Sequence, residues 1–251
     1  MDITDPAALR EALSGFDAVV NCAAWTDVDG AERNEDGARR VNAIAVRDLT
    51  RACSEHGVWL FHISSDFVFS GDRRAPYSEA EPVSPISAYG RTKAEGEVFV
   101  LDFELGSVIR TSWLYGPRGH GFPRAILNRA RQGVRFAVVD DQEGQPTLVQ
   151  DAAERILTLV SWVTSGDAPA GLWHASNAGS TSRWHLATTL LELCGSDPEL
   201  VIPAATRIEA GVARRPSFSA LADDRGASYG LPPMREWREA LTGVAPLLWT
   251  A

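Results

Sequence analysis

The sequence predicts an α/β fold: a parallel, doubly wound sheet joined to a smaller and less regular α/β part. Three observations point to it. Two short runs, DAVVNCA at 17–23 and VWLFHIS at 58–64, are apolar almost throughout, which marks strands covered on both faces. Segments with helical spacing lie between such runs. The first ~110 residues alternate helix and strand, as parallel strands joined by crossover helices do.

The elements follow in order. Thr4-Asp5-Pro6 reads as a helix start, with Asp5 as cap and Pro6 in the first turn. Leu9, Ala12 and Leu13 give that helix its apolar face. The strand at 17–23 comes next, then a polar loop. Over 36–56, Val41, Ala45, Leu49 and Cys53 recur every four residues, predicting a helix that Gly57 ends. The strand at 58–64 leads into a loop, 66–86, with three prolines. A helix over 87–102 and a strand over 107–111 complete this half. Beyond it we expect a helix at 122–131, a strand at 135–139, and a loop at 140–147 holding DDQEGQPT. A helix at 148–163, a strand at 171–175 and a helix at 182–194 follow. Proline and glycine then dominate as far as 233, and a last helix covers 234–241.

Bulk properties narrow the function classes. Of 251 residues, 33 are acidic and 24 basic, for a formal charge of −9, which argues against a nucleic-acid surface. A few arginines in a cleft could still hold an anion. Three cysteines, Cys22, Cys53 and Cys194, show no CxxC spacing, so neither a disulfide framework nor a zinc pattern is expected, and a reducing cytoplasm fits best. No apolar run approaches the length of a membrane span. His120, His174 and His185 lack ligand spacing, so no metal site is expected.

In open parallel sheets, ligands bind beyond the carboxyl ends of the strands. Three such ends carry small or polar residues: Asn21-Cys-Ala-Ala, His62-Ile-Ser-Ser-Asp-Phe and Arg110-Thr-Ser-Trp. Ala23 and Ala24 would let a cofactor approach the backbone. Ser64 and Ser65 leave a buried strand where a substrate carbonyl could sit. His62 lies inside its strand and reads as a packed core histidine. Tyr89 and Lys93 stand four apart on a predicted helix and share one face. The ammonium should lower the phenol's pKa, leaving a group able to protonate a developing alkoxide and take the proton back in reverse. A hydrolase built on Ser65 and His62 is not expected: G-x-S-x-G is absent, and residues three apart on a strand face opposite ways. Trp25 and Trp184 read as packing; Trp113 reads either as a cleft wall or as a ligand contact.

The motifs NCAAWTDVDGAE, VNA at 41–43, HISSDFVFSG, PYSEAEPVSPISAYGRTKAEGE, RTSWLYGPRGHGF, DDQEGQPT and ARRPSFSAL resemble, in order and over nearly the whole chain, the dTDP-4-dehydrorhamnose reductase family of extended short-chain dehydrogenase/reductases. The Tyr-x-x-x-Lys pair alone indicates only the superfamily; RTSWLYG with DDQEGQPT indicates the nucleotide-sugar branch. The resemblance implies a Rossmann-like cofactor part over 1–112 and 148–180, and a discontinuous substrate part over 113–147 and 181–251. It implies hydride transfer from NADPH or NADH to C4 of a dTDP-4-keto-6-deoxyhexose. Tyr89 would be the acid, Lys93 would tune it and hold the nicotinamide ribose, and Ser65 would bind the substrate carbonyl. Cofactor contacts would include Asp2, Ile3, Ala23, Ala24, Asn42, Ser64, Tyr89 and Lys93. Substrate contacts would include Ser65, Asp66, Phe67, Trp113, Gln142, Thr147 and Arg215. Phe67 stands where the family usually has Tyr, which puts one substrate contact in doubt. A homodimer is left open.

The resemblance fails at the front. Family members begin with a strand, a glycine-rich turn and a helix, a unit of roughly 30–40 residues, and no G-x-G-x-x-G or G-x-x-G-x-x-G precedes a helix here. Gly116, Gly119 and Gly121 follow Trp113-Leu-Tyr and do not lead from a suitable turn into a helix. The sequence is expected to be a fragment with a late start; the other reading is a chain that has lost dinucleotide binding. A non-catalytic binding protein, like the regulatory β-subunit of methionine adenosyltransferase, suits the second reading. Intact Tyr89, Lys93 and Trp113 count against it.

Overall fold

A computed structural model describes residues 1–118 and 121–250; Gly119 and His120 lie outside the described residues. Asp5 caps α1 (Pro6–Ala12) through Ala7 N–H at 2.9 Å. β1 (Ala18–Asn21) follows. The polar loop expected next holds two short helices, α2 (Val28–Arg33) and α3 (Glu35–Arg39). Each is started by a side-chain cap, Asp27 to Gly30 N–H and Asn34 to Gly37 N–H, with too few turns to show an apolar period.

The helix expected over 36–56 is interrupted. α3 passes through a π-helical turn, Arg40–Ile44, into α4 (Ala45–His56). Gly57 closes α4 in the left-handed conformation at φ 66°, which costs glycine little. β2 (Trp59–Ser65), α5 (Ala88–Leu101) and β3 (Gly106–Thr111) match the expected segments within a residue or two.

β4 (Leu114–Tyr115), α6 (Phe122–Ala130), β5 (Phe136–Val139), β6 (Glu143–Gly144) and β7 (Thr147–Leu148) come next. α7 (Val149–Ser165) returns the chain to the main sheet at β8 (Gly171–His174). The two-residue strands β4, β6, β7 and β9 (Thr181–Ser182) are too short to carry a sequence pattern. After α8 (Arg183–Leu193), the Pro/Gly-rich stretch hides β10 (Val201–Ala204), which pairs in parallel with β5, and α9 (Asp224–Ser228). The last helix is α10 (Trp237–Thr250), not 234–241. Its start is delayed because Ala178 bridges to Glu236 through backbone hydrogen bonds to Arg235 and Trp237. It continues through Pro246 because Leu241, Val244, Ala245 and Leu248 are buried at helical spacing.

The main sheet is parallel throughout, in the order β1-β2-β3-β8. Alternate strand residues feed opposite cores. Leu60 and Val108 pack with Leu9, Val46, Leu49 and Val100 from α1, α4 and α5. Phe61 and Ile109 pack with Leu159, Val163 and Trp173 on the α7 side. The sheet is therefore doubly wound, and each large side chain fully buried there contributes about 1.5–3 kcal/mol. A separate core joins α6, α8 and α10 to β5 and β10. Register sets Asn21 opposite His62 and Ser65 opposite Thr111, so the three polar strand ends meet at one sheet edge.

Candidate active site

α5 carries Tyr89 and Lys93 against that edge, and its glycines set how close it lies. A Cβ on Gly90 would run into the Phe67 carbonyl, and one on Gly96 into the Asn42 carbonyl. Asn42 is fully buried and pins the π-helical turn: its Oδ1 accepts from Trp25 N–H at 2.8 Å, and its Nδ2 donates to Thr92 Oγ1 at 3.1 Å. Beneath the site, Arg110 of β3 and Glu97 of α5 form a two-pronged ion pair at 2.9 and 2.6 Å, both side chains 3% exposed.

A cleft of about 550 Å³ opens over this edge. Its lining brings together Ala24, Ser64, Ser65, Asp66, Phe67, Tyr89, Lys93, Trp113 and Arg215 from among the residues singled out in the sequence. Others stand elsewhere. Ile3 and Ala23 line a neighbouring apolar hollow that meets the cleft at Cys22. Asp2 is exposed and caps Thr4. Gln142 bonds Thr206, and Thr147 N–H donates to the Trp113 carbonyl. Asn42, Gln142 and Thr147 are buried in the scaffold and do not line the cleft.

Asp66 is the hub of the polar network. Its carboxylate accepts from Ser65 Oγ at 3.0 Å, Ser112 Oγ at 3.0 Å and Ser219 Oγ at 2.6 Å. Burial raises its pKa, and the three hydroxyls pull against that shift. Ser65 Oγ also accepts from Phe67 N–H at 3.2 Å. Phe67 meets Tyr89 edge to face at 5.6 Å.

The expected depression of the Tyr89 pKa is overturned. Burial pushes the phenol up to about 12, opposed by its hydrogen bond to Ser65 and reinforced by the charge of Asp66. Lys93 Nζ lies instead 3.0 Å from His62 Nε2 and donates to the Ile63 carbonyl at 2.7 Å. Burial draws Lys93 itself down to about 8, against the raising influence of Glu97. Tyr89 thus holds its proton firmly at neutral pH, as a proton donor must.

The opposite wall is Trp113. Its φ of 43° is the one positive value outside glycine among the described residues, a strained conformation for an aromatic residue. The Arg183 guanidinium lies 3.4 Å from the centre of its ring. The indole also rests against Gly144, where a Cβ would come within 2.5 Å of Cε2. Burial draws Arg183 down to about 10, against the attraction of Asp66. Arg215 lines the same cleft and is paired with Asp29 at 2.8 and 2.9 Å.

Sequence reasoning missed Arg183, Ser112, Ser219 and Gly144 as site residues. Gly144, Ser112 and Ser219 lay inside DDQEGQPT, RTSWLYGPRGHGF and ARRPSFSAL and could have been singled out; Arg183 carried no local signal. Among the described residues, no cluster of three or more His, Cys, Asp and Glu could hold a metal. No described helix is long and apolar enough to cross a membrane. Ser64 Oγ and Thr111 Oγ1 are buried without a hydrogen-bond partner, and both residues line the cleft. Hydroxyls left unpaired beside a buried lysine suit a ligand rich in polar groups.

Comparison with known proteins gives a consistent result. Residues 1–248 match the RmlD substrate binding domain family. A dTDP-4-dehydrorhamnose reductase of Streptomyces griseus is 42% identical over 252 residues, 99% of this chain and 83% of that protein. A probable dTDP-4,6-dihydroxy-2-methyloxan-3-one 4-ketoreductase of Streptomyces antibioticus is 43% identical over 254 residues, 98% of this chain and 83% of its own length. Among solved structures, a dTDP-4-dehydrorhamnose reductase from Bacillus anthracis in complex with NADP superposes with a TM-score of 0.89 at 32% identity. That match covers 97% of this chain and 84% of the other.

Proposed function

Because the chain belongs to the family of the RmlD substrate binding domain, we propose that it reduces the C4 keto group of a dTDP-4-keto-6-deoxyhexose with a nicotinamide cofactor, in dTDP-rhamnose or related deoxysugar biosynthesis. The observation that carries this reading is the convergence of Ser65, Tyr89, Lys93 and Trp113 on one cleft at the carboxyl edge of a parallel sheet. Relatives named as reductases of such sugars, and the NADP complex of one of them, support it.

When bound, the cofactor supplies the hydride. Ser64, Thr111 and Lys93 are suited to hold its polar groups, through two unpaired hydroxyls and an amine. Tyr89 Oη donates its proton to the substrate oxygen as that oxygen gains charge. Ser65 Oγ, kept in place by Phe67 N–H, swings its one proton from Asp66 to the same oxygen and stabilises it. Trp113 gives the sugar a flat wall, and Arg183 and Arg215 supply two positive charges for the diphosphate. The same proposal assigns 1–112 with 148–180 to the cofactor and 113–147 with 181–251 to the substrate, supported by the separate apolar cores. A cytosolic setting is part of it, supported by three free thiols.

The test is ketosugar-dependent oxidation of NADPH by the purified chain. The proposal expects turnover that needs both reactants. NADPH binding without turnover of any dTDP-4-keto-6-deoxyhexose would overturn it.

A further inference from the structure

We infer that Asn21 and His62 set the protonation state of Lys93 through the tautomer of the histidine ring. Three buried side chains form a line. Asn21 Nδ2 lies 3.0 Å from His62 Nδ1, and His62 Nε2 lies 3.0 Å from Lys93 Nζ. Their exposures are 5%, 0% and 1%, so water does not relieve a mismatch along the line.

The direction is fixed at the asparagine end. Ala23 N–H donates to Asn21 Oδ1 at 3.1 Å. That leaves Nδ2, a donor only, facing His62 Nδ1. Nδ1 is therefore the acceptor, and in a neutral imidazole the proton then sits on Nε2. Nε2–H points at Lys93 Nζ. An amine has a lone pair to receive it; an ammonium has none. The bond from Nζ to the Ile63 carbonyl, 2.7 Å, serves either form. The observed arrangement is that of the neutral lysine.

Protonation of Lys93 must rearrange the line. The Nε2 proton passes to Nζ and the incoming proton is taken at Nδ1, one proton gained in all. Nδ1–H then needs Asn21 Oδ1, and turning the amide sets Nδ2 against Ala23 N–H, donor to donor. Burial favours the neutral amine too, drawing Lys93 to about 8 and His62 well below its usual range. The other titratable and charged groups around Lys93 are Tyr89 and Glu97 of its own helix, Arg110 of β3 paired to Glu97, Asp66 after β2, Cys22 after β1, and Arg183 and Arg215 across the cleft. None of these is hydrogen-bonded to His62 among the described residues, so the ring answers to Asn21 and Lys93. The consequence for catalysis rests on the proposed reductase reading: His62 is a positioning residue that makes the charge of Lys93 depend on pH.

The test is ¹⁵N NMR of the histidine rings in the intact chain, with the His62 resonance assigned through the backbone. Between about pH 6 and about pH 9, His62 should stay neutral while its proton moves from Nδ1 to Nε2, with a midpoint near the Lys93 value of about 8. Asn21→Asp keeps an acceptor for Ala23 N–H and adds one for Nδ1–H. It should lock the Nδ1–H form over that range and raise the alkaline limb of turnover by about one pH unit or more. A ring with one fixed tautomer in the unaltered chain, an imidazolium, or the same switch in both proteins would overturn the inference. The spectra need neither cofactor nor ketosugar. A chain that switches but does not reduce ketosugars contradicts the proposed function alone; one that reduces them without switching contradicts this inference alone.

Discussion

Tyr89 is edge-packed by Phe67 and bonded to Ser65, whose orientation is in turn held by Asp66. Burial keeps the phenol protonated up to about 12, so under the proposed function it is a loaded acid across the neutral range. Tyr89→Phe removes the transferable proton while keeping the ring; steady-state assays should show turnover lower by ~10²–10⁴-fold, with an unchanged urea midpoint. Under the proposed function Arg183 serves binding. Arg183→Met keeps an unbranched chain over Trp113 but loses the charge, and should raise the ketosugar KM by ~10–100-fold, the worth of a charge-assisted hydrogen bond, with a smaller change in kcat. At this scale the sequence was legible where chemistry has a local spelling. Ser65, Tyr89 and Lys93 were found from strand-end and i, i+4 arguments together with the family resemblance. Arg183 was not, because it reaches the cleft from a distant segment; Ser112 and Ser219 lay inside quoted motifs, but their bonds to Asp66 exist only in the fold. The Tyr89 pKa was misjudged because spacing on a helix says which residues share a face, not which partner a long lysine side chain selects.

α5 is the element on which the site depends. It approaches the sheet through Gly90 and Gly96 and is anchored by the Glu97–Arg110 pair. Truncating one partner of a buried pair strands the other charge, so Glu97→Gln should cost ~3–5 kcal/mol, read by urea denaturation. The position of Lys93, four residues earlier on the same helix, should shift with it. The segments of this half were legible because strands β1 and β2 lie in apolar runs bounded by turn residues. The pieces that escaped are physically short. α2 and α3 rest on the caps Asp27 and Asn34 rather than on an apolar stripe. The π-helical turn at Arg40–Ile44 answers to the Asn42 contacts with Trp25 and Thr92, which are tertiary and invisible to periodicity.

Across the whole molecule, the doubly covered sheet keeps His62 and His174 dry and neutral. His174 donates from Nδ1 to the Ala222 carbonyl at 2.6 Å, and burial draws it down to about 3. An unfolded histidine takes a proton near pH 6.5, whereas this one does not until about 3. The stability it contributes is therefore complete above about pH 6.5 and is lost as pH falls toward 3. From pH 6.5 to 5 the loss is about 2 kcal/mol, at about 1.4 kcal/mol per pH unit. The raised carboxyls of Asp66, Glu79 and Asp223 work the other way in acid. The informative comparison is thus between the parent and His174→Asn: urea midpoints at pH 7 and 5 should differ less in the variant. The doubly wound architecture was readable from the alternation of elements, whereas the pairing of β10 with β5 and the extent of α10 follow from contacts between distant segments. The central claim, that this cleft delivers hydride and proton to a C4 ketone, is tested most directly by turnover with NADPH deuterated at its transferable position. The account predicts deuterium at C4 of the product hexose, and a rate of that transfer lower by ~10²–10⁴-fold in Tyr89→Phe. No transfer to the sugar by the unaltered chain, deuterium at another carbon, or undiminished transfer by the variant would contradict it.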